Sequence, residues 1–246
     1  MSLSKSKGHM YDWCSHMHTH IGGLCPHQCI YCSTAAIGRR FKIKKYTGKL
    51  RLIEKELTVN YRTPGILSYA KEMGLEEPTI FIEHCTDLFA EKIPFDWITS
   101  VLLHCNQYPE NLYVFQTKNP ARMVDFVSLM PPKRILGCTI ETTSEHTVSS
   151  ISKAPSPLSR RDAMMELRQK GERMFITIEP ILDGSMRTLA RWCHMVSPEF
   201  VNIGADSKGG GLKEPSASQV RLLISSLQHF GVEIRAKNNL DRILNK

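Results

Sequence analysis

The sequence predicts an α/β fold. The expected form is a partial, TIM-like (β/α) barrel of about six β/α units, with an open doubly wound sheet as the alternative. Three observations predict it. From about residue 78 onward, short β-branched runs alternate with longer amphipathic stretches. Each run ends on polar or ionisable residues. No repeat, low-complexity tract or Pro/Gly/Ser linker divides the chain, so residues 1–246 read as one domain, with a short lead-in over 1–13 and an extension over about 237–246.

In chain order, 16–21 is the first strand candidate, followed by a turn at Gly22 and Gly23, and residues 50–59 carry helical spacing. Strands are then expected at 79–83 (TIFIE), 112–116 (LYVFQ), 135–140 (ILGCTI), 174–178 (MFITI), 200–203 (FVNI) and 232–235 (VEIR). Helices are expected at 95–105, where Trp97, Ile98, Val101 and Leu102 share a face, and at 121–130, 159–170, 186–196 and 216–230. Gly171 and Gly231 are the expected C-terminal stops. Alternating strands and helices imply parallel pairing through right-handed crossovers.

The 246 residues include 32 Lys plus Arg against 24 Asp plus Glu, a formal charge of +8, and 41% hydrophobic residues. That apolar fraction excludes global disorder. No apolar run approaches the roughly 18 residues of a membrane helix. Residues 1–9 are polar and basic without a secretory pattern, so the expected setting is cytoplasmic, with no membrane partner. There thiols stay reduced, and the eight cysteines call for an explanation other than disulfides.

In such folds functional groups gather where strands end. The exits read His84-Cys85-Thr86-Asp87, Thr117-Lys118-Asn119, Glu141-Thr142-Thr143, Glu179-Pro180, Gly204-Ala205-Asp206 and Lys237-Asn238-Asn239. Six polar exits in register suggest a pocket at one rim.

Residues 20–34 read HIGGLCPHQCIYCST, with Cys25, Cys29 and Cys32 in C-x3-C-x2-C spacing. Three thiolates on one short loop suit a 4Fe-4S cluster, whose irons favour sulfur, and leave one iron open to a small molecule bearing an amine and a carboxylate. Structural zinc is the alternative and would draw a fourth ligand from His16, His18, His20 or His27.

The motif C-x3-C-x-aromatic-C after the first strand of a (β/α) series resembles the radical S-adenosylmethionine (radical SAM) superfamily. More narrowly, MYDW, GGLCPHQCIYC, TDLF, TKNP, GCTIETT and IEPI, spread from Met10 to about Lys237, are similar to a phage- and prokaryote-associated radical SAM family of unassigned function. The resemblance implies a cytoplasmic enzyme. Its reduced cluster cleaves S-adenosyl-L-methionine to methionine and a 5′-deoxyadenosyl radical that takes hydrogen from a substrate. It also implies an electron donor such as a flavodoxin- or ferredoxin-like protein. Tyr31 would lie against the adenine. Where relatives carry Gly-Gly-Glu after the second strand, this chain has Glu83 to Asp87, so Thr86 and Asp87 are the candidates for the methionine amine. Lys118 would meet the carboxylate, Thr139 or Glu141 the ribose, and Glu179 and Gly204 would line the pocket. Cys85 and Cys138 are candidate hydrogen donors, with buried packing the favoured role for Cys138.

Residues 39–51 (RRFKIKKYTGKLR) carry seven Lys or Arg and no acid, with Phe41 and Tyr46 interleaved. Arg39, Arg40, Lys42, Lys44 and Lys45 would bind phosphates and the aromatics would stack on bases, which favours a nucleotide or nucleic-acid substrate over a peptide or small metabolite. A solvated basic loop is the alternative. From other classes, a non-catalytic metal-binding module and a zinc hydrolase remain. The hydrolase would build on His16, His18 and His20, alternating along a strand, with His84, His146 and His194 as further ligands.

Overall fold

In the computed structural model, which describes residues 3–6, 11–207 and 211–245, all six downstream β-branched runs form strands. They are β5 (Thr79–Ile82), β6 (Leu112–Thr117), β7 (Arg134–Thr139), β8 (Met174–Ile178), β9 (Phe200–Ile203) and β10 (Ile234–Ala236). Every residue of β5, β8 and β9 is buried, as expected of parallel strands covered on both faces. Upstream lie β1 (Ser4–Lys5) and β2 (His16–His18), with β3 (Ile21–Gly22) and β4 (Arg51–Leu52) forming a separate antiparallel pair. Met10 of the MYDW motif falls outside the described residues.

The main sheet has eight strands in the order β1-β2-β5-β6-β7-β8-β9-β10. It is mostly parallel: β2 runs parallel to β5 and β8 to β9, whereas β1 lies antiparallel to β2. The order begins at β1 and ends at β10, so among the described residues the sheet does not close into a barrel.

The chain divides into two compact units, each drawn from separate stretches of sequence. The first comprises Met1–Pro26, Thr34–Gln116 and Asp125–Ile135. It contains α1 (Ser33–Arg40) from Thr34 onward, α2 (Pro64–Glu72) and α3 (Phe95–Asn106), whose Ile98, Val101 and Leu102 are fully buried. The second comprises His27–Ser33, Thr117–Val124 and Leu136–Lys246. It carries α4 (Pro120–Val124), α5 (Glu145–Ile151), α6 (Pro157–Gln169), α7 (Met186–Val196), α8 (Ala217–His229) and α9 (Asp241–Leu244). Local chemistry sets these helix starts. Ser144, Ser156, Ser185 and Ser216 each accept a backbone N–H as N-caps, and Ser216 with Gln219 completes a capping box.

Two expected helices need correction. Residues 50–59 are not a helix: Arg51 and Leu52 pair with Gly22 and Ile21, Ile53 N–H donates to His20 O at 2.8 Å, and only a 3-10 segment, Glu54–Thr58, follows. The helix expected at 121–130 stops at Val124, and a 3-10 turn, Val127–Leu129, follows the buried Phe126. Helices α1, α2, α5 and α9 were not anticipated. No described helix is long and apolar enough to cross a membrane.

Candidate functional site

None of the eight cysteines forms a disulfide, and they sort by exposure. Cys25, Cys29 and Cys32 are partly exposed, and the other five are buried. In the first unit the approach to Cys25 is a tight turn. Gly23 adopts φ +107°, and a Cβ there would lie 2.5 Å from Lys49 O. The N–H groups of Gly23 and Leu24 donate to Lys45 O and Gly48 O at 2.8 and 3.1 Å, so the basic stretch straps the turn. In the second unit Ile30 N–H donates to Ile151 O at 2.9 Å and Lys153 N–H to His27 O at 2.7 Å, anchoring the chain on either side of Cys29. Ser152 Oγ sits 3.1 Å from Cys29 Sγ. Thiols outside any disulfide and partly exposed are donors of the kind that iron–sulfur clusters take.

Around Tyr31 the second unit builds a buried knot on Glu141. The wholly buried carboxylate accepts from Arg160 Nη1 at 2.7 Å and from the Tyr31 hydroxyl, and lies 3.0 Å from Lys118 Nζ. Burial works to raise the Glu141 pKa, but Lys118 and Arg160 outweigh it and hold the carboxyl down at about 2. The same burial, then the Glu141 charge, pushes the Tyr31 hydroxyl well above its usual range, so it stays a donor. Lys118 Nζ also stands 5.4 Å from the centre of the Tyr31 ring. Arg160 is fully buried and donates to Thr139 O and Pro155 O, yet its Nη2 finds no partner. Tyr31, Lys118, Glu141 and the Thr139 backbone thus come together as a set. Arg160, which organises it, was missed: one arginine of an Arg160-Arg161 pair gives no sign that it points inward.

Glu179 and Gly204 are neighbours. A Cβ on Gly204 would lie 2.9 Å from Glu179 Cδ, and Glu179 Oε2 pairs with Lys237 Nζ at 2.5 Å. Cys138 is wholly enclosed in β7, which suits packing.

At the β5 exit of the first unit, Thr86 Oγ1 donates to Ile21 O at 3.2 Å and Asp87 Oδ1 accepts Phe89 N–H at 3.0 Å. Glu83, a second residue the sequence reading passed over, does more. It sits at φ +62°, and its carboxylate accepts the backbone N–H groups of His20 and Ile21 at 2.5 and 3.4 Å. Burial pushes its pKa up to about 8 against those two bonds. Cys85 Sγ lies 2.9 Å from His84 Nε2, and burial raises its pKa, so it rests as a thiol.

Of the histidines proposed for zinc, His18 and His20 come together, but not with His16, His84, His146 or His194. His16 turns to Ser15 at 2.9 Å and His84 to Thr19 at 3.0 Å, while His146 on α5 and His194 on α7 are exposed. His27 is buried, its carbonyl taken by Lys153. Of the basic stretch, Arg39, Arg40, Lys42 and Lys44 are exposed and Lys45 is half-buried.

Comparison with known proteins gives a fold and a family. Streptococcus suis SuiB bound to S-adenosylmethionine superposes with a TM-score of 0.56 at 12% identity, over 88% of this chain and 49% of that one. The chain therefore spans about half the length of SuiB. Spore photoproduct lyase complexed with dinucleoside spore photoproduct gives 0.63 at 11% identity, over 96% of this chain and 79% of that one. SuiB bound to the precursor peptide SuiA gives 0.59 at 11%. At these identities the likeness is one of fold. No curated protein matches the sequence. A family model does, across residues 12–197, and the chain accordingly belongs to the DUF5131 family, a protein family of unknown function.

Proposed function

We propose that the chain is a radical SAM enzyme. In this reading Cys25, Cys29 and Cys32 hold a 4Fe-4S cluster, and the substrate is a nucleotide or nucleic-acid base. The observation that carries it is the sorting of the thiols: the three in C-x3-C-x2-C spacing stand outside any disulfide and are partly exposed, and the other five are buried. The fold likeness to SuiB with bound S-adenosylmethionine and to a lyase holding a dinucleoside supports it.

A bound, reduced cluster supplies the electron that splits S-adenosylmethionine into methionine and a 5′-deoxyadenosyl radical. The protein's part is to bind and orient. Glu141 fixes the Tyr31 hydroxyl, so the ring is a rigid platform for the adenine. Lys118 keeps 15% side-chain exposure against 1% for Glu141, and is assigned to the methionine carboxylate. The unpartnered Arg160 Nη2 supplies a further buried donor. Thr86 and Asp87 are assigned to the amine, and Glu179 and Gly204 to the pocket wall. Arg39, Arg40, Lys42, Lys44 and Lys45 are assigned to substrate phosphates, and a flavodoxin- or ferredoxin-like protein to electron delivery. The interleaving of the two units along the sequence supports reading them as one domain.

Anaerobic purification tests the cluster. The wild type and Cys14→Ala should be brown, with about four irons per chain, and Cys29→Ala colourless. A colourless wild type whose only metal is one zinc ion, lost on Cys29→Ala, would overturn the reading.

A further inference from the structure

We propose that His18, His20, His104 and Tyr61 form a second metal site, a closed tetrahedral one for a divalent first-row transition ion such as zinc. All four lie in the first unit, at most 2% exposed: His18 ends β2, His20 follows it, His104 is on α3 and Tyr61 precedes α2. Among the described residues these histidines are the one group of three whose ligand atoms converge, all within 4.8 Å.

Hydrogen-bond accounting points the same way. Each imidazole has its outer nitrogen on an acceptor: His18 Nε2 is 3.3 Å from Glu56 Oε2, His20 Nδ1 2.9 Å from Glu83 Oε1, and His104 Nε2 2.8 Å from Val59 O. A backbone carbonyl cannot donate, so His104 Nε2 carries the proton and its Nδ1 a lone pair. Glu83 Oε1 lies within hydrogen-bond distance of both the His20 amide and His20 Nδ1 and so holds the ring by its outer nitrogen. Carboxylate or carbonyl support of the outer nitrogen is the arrangement that orients metal-binding histidines.

The inward atoms lie close together. His20 Nε2 and His104 Nδ1 face each other at 3.1 Å. The Tyr61 hydroxyl lies 2.5 Å from His18 Nδ1 and 3.0 Å from His20 Nε2. A cation among these four atoms would be held by all of them. Donors around a tetrahedral zinc stand about 3.3 Å apart, close to the measured 3.0 and 3.1 Å. Four protein ligands leave no position for water, so the site is structural and unlike the hydrolase centre considered from sequence. It would tie β2, which leads into the cysteine loop, to α3. Its donors are nitrogen and oxygen and share no residue with the cysteine set, so it stands or falls separately from the enzyme reading.

The test is metal content and thermal stability of the full chain after incubation with equimolar Zn²⁺ and dialysis. Wild type and Cys29→Ala should each retain one zinc per chain and gain thermal stability from it. His104→Gln should retain none and show no zinc-dependent shift, yet keep about four irons if the cluster reading holds. Tyr61→Phe, which keeps the ring, should unfold cooperatively and bind zinc at least tenfold more weakly. Should His104→Gln fail to fold, Tyr61→Phe decides. Zinc absent from Cys29→Ala, or held undiminished by both His104→Gln and Tyr61→Phe, would overturn the site. A chain that binds zinc here but no iron would sink only the radical SAM reading.

Discussion

Replacing Glu141 by Gln should destabilise the protein by about 3 kcal/mol at neutral pH and much less in acid. The substitution keeps shape and removes charge, leaving the buried Arg160 and the half-buried Lys118 beside a neutral amide. Two routes give the magnitude. A folded pKa of about 2 against 4.5 for the free group corresponds to about 3 kcal/mol. Removing one partner of a buried ion pair costs about 3–5 kcal/mol. The sign follows from linkage: a carboxyl whose pKa is depressed on folding stabilises fully above its unfolded pKa. That contribution fades as pH falls from about 4.5 towards about 2. Protonated Glu141 resembles Gln, so the two proteins should converge, with the gap down to about 1 kcal/mol at pH 3. Urea denaturation of both proteins across this range reads the gap directly, and titrations shared by the two cancel. A gap below 1 kcal/mol at pH 7, or one that does not change with pH, would refute the ion-pair account.

Two further outcomes follow from geometry and charge. A Cβ at Gly137 would stand 2.1 Å from Phe175 Cζ on the neighbouring strand, so Gly137→Ala should cost about 3 kcal/mol in urea denaturation, at the upper end for overpacking. Phe175→Leu should recover part of that loss, and a neutral single mutant would contradict the packing. Arg40, Lys42 and Lys44 are exposed. Changing all three to Glu should weaken single-stranded nucleic-acid binding and flatten its log–log salt dependence by about two units, as read by fluorescence anisotropy, while unchanged affinity and slope would remove the phosphate assignment.

Much of the fold was legible because buried parallel strands write themselves as continuous apolar, β-branched runs: TIFI at 79–82 and MFITI at 174–178 admit few other readings. Residues 50–59 show the limit of that logic. Leu50, Ile53 and Leu57 have helical spacing, but the pairing of Leu52 with Ile21 spans a long stretch of chain and leaves no local mark. The candidate site divides the same way. The cysteine spacing is local and reads at once, as do the strand exits that carry Lys118 and Glu141. Arg160 looks like any helix-surface cation beside Arg161, and only tertiary contact turns it onto Glu141. His104 was hidden as a lone histidine in a helix, although it meets His20 across 84 positions of sequence. Glu83 ended a predicted strand and looked like a polar terminus, and its bonds to the His20 and Ile21 amides need the strand pairing to be known.

The proposed reaction is reductive cleavage of S-adenosylmethionine by a cluster on Cys25, Cys29 and Cys32. Its most direct test is 5′-deoxyadenosine formation by anaerobic, iron-replete protein given dithionite and S-adenosylmethionine. Wild type and Cys14→Ala should form 5′-deoxyadenosine and Cys29→Ala none. An intact four-iron protein that forms none under any reductant would contradict it.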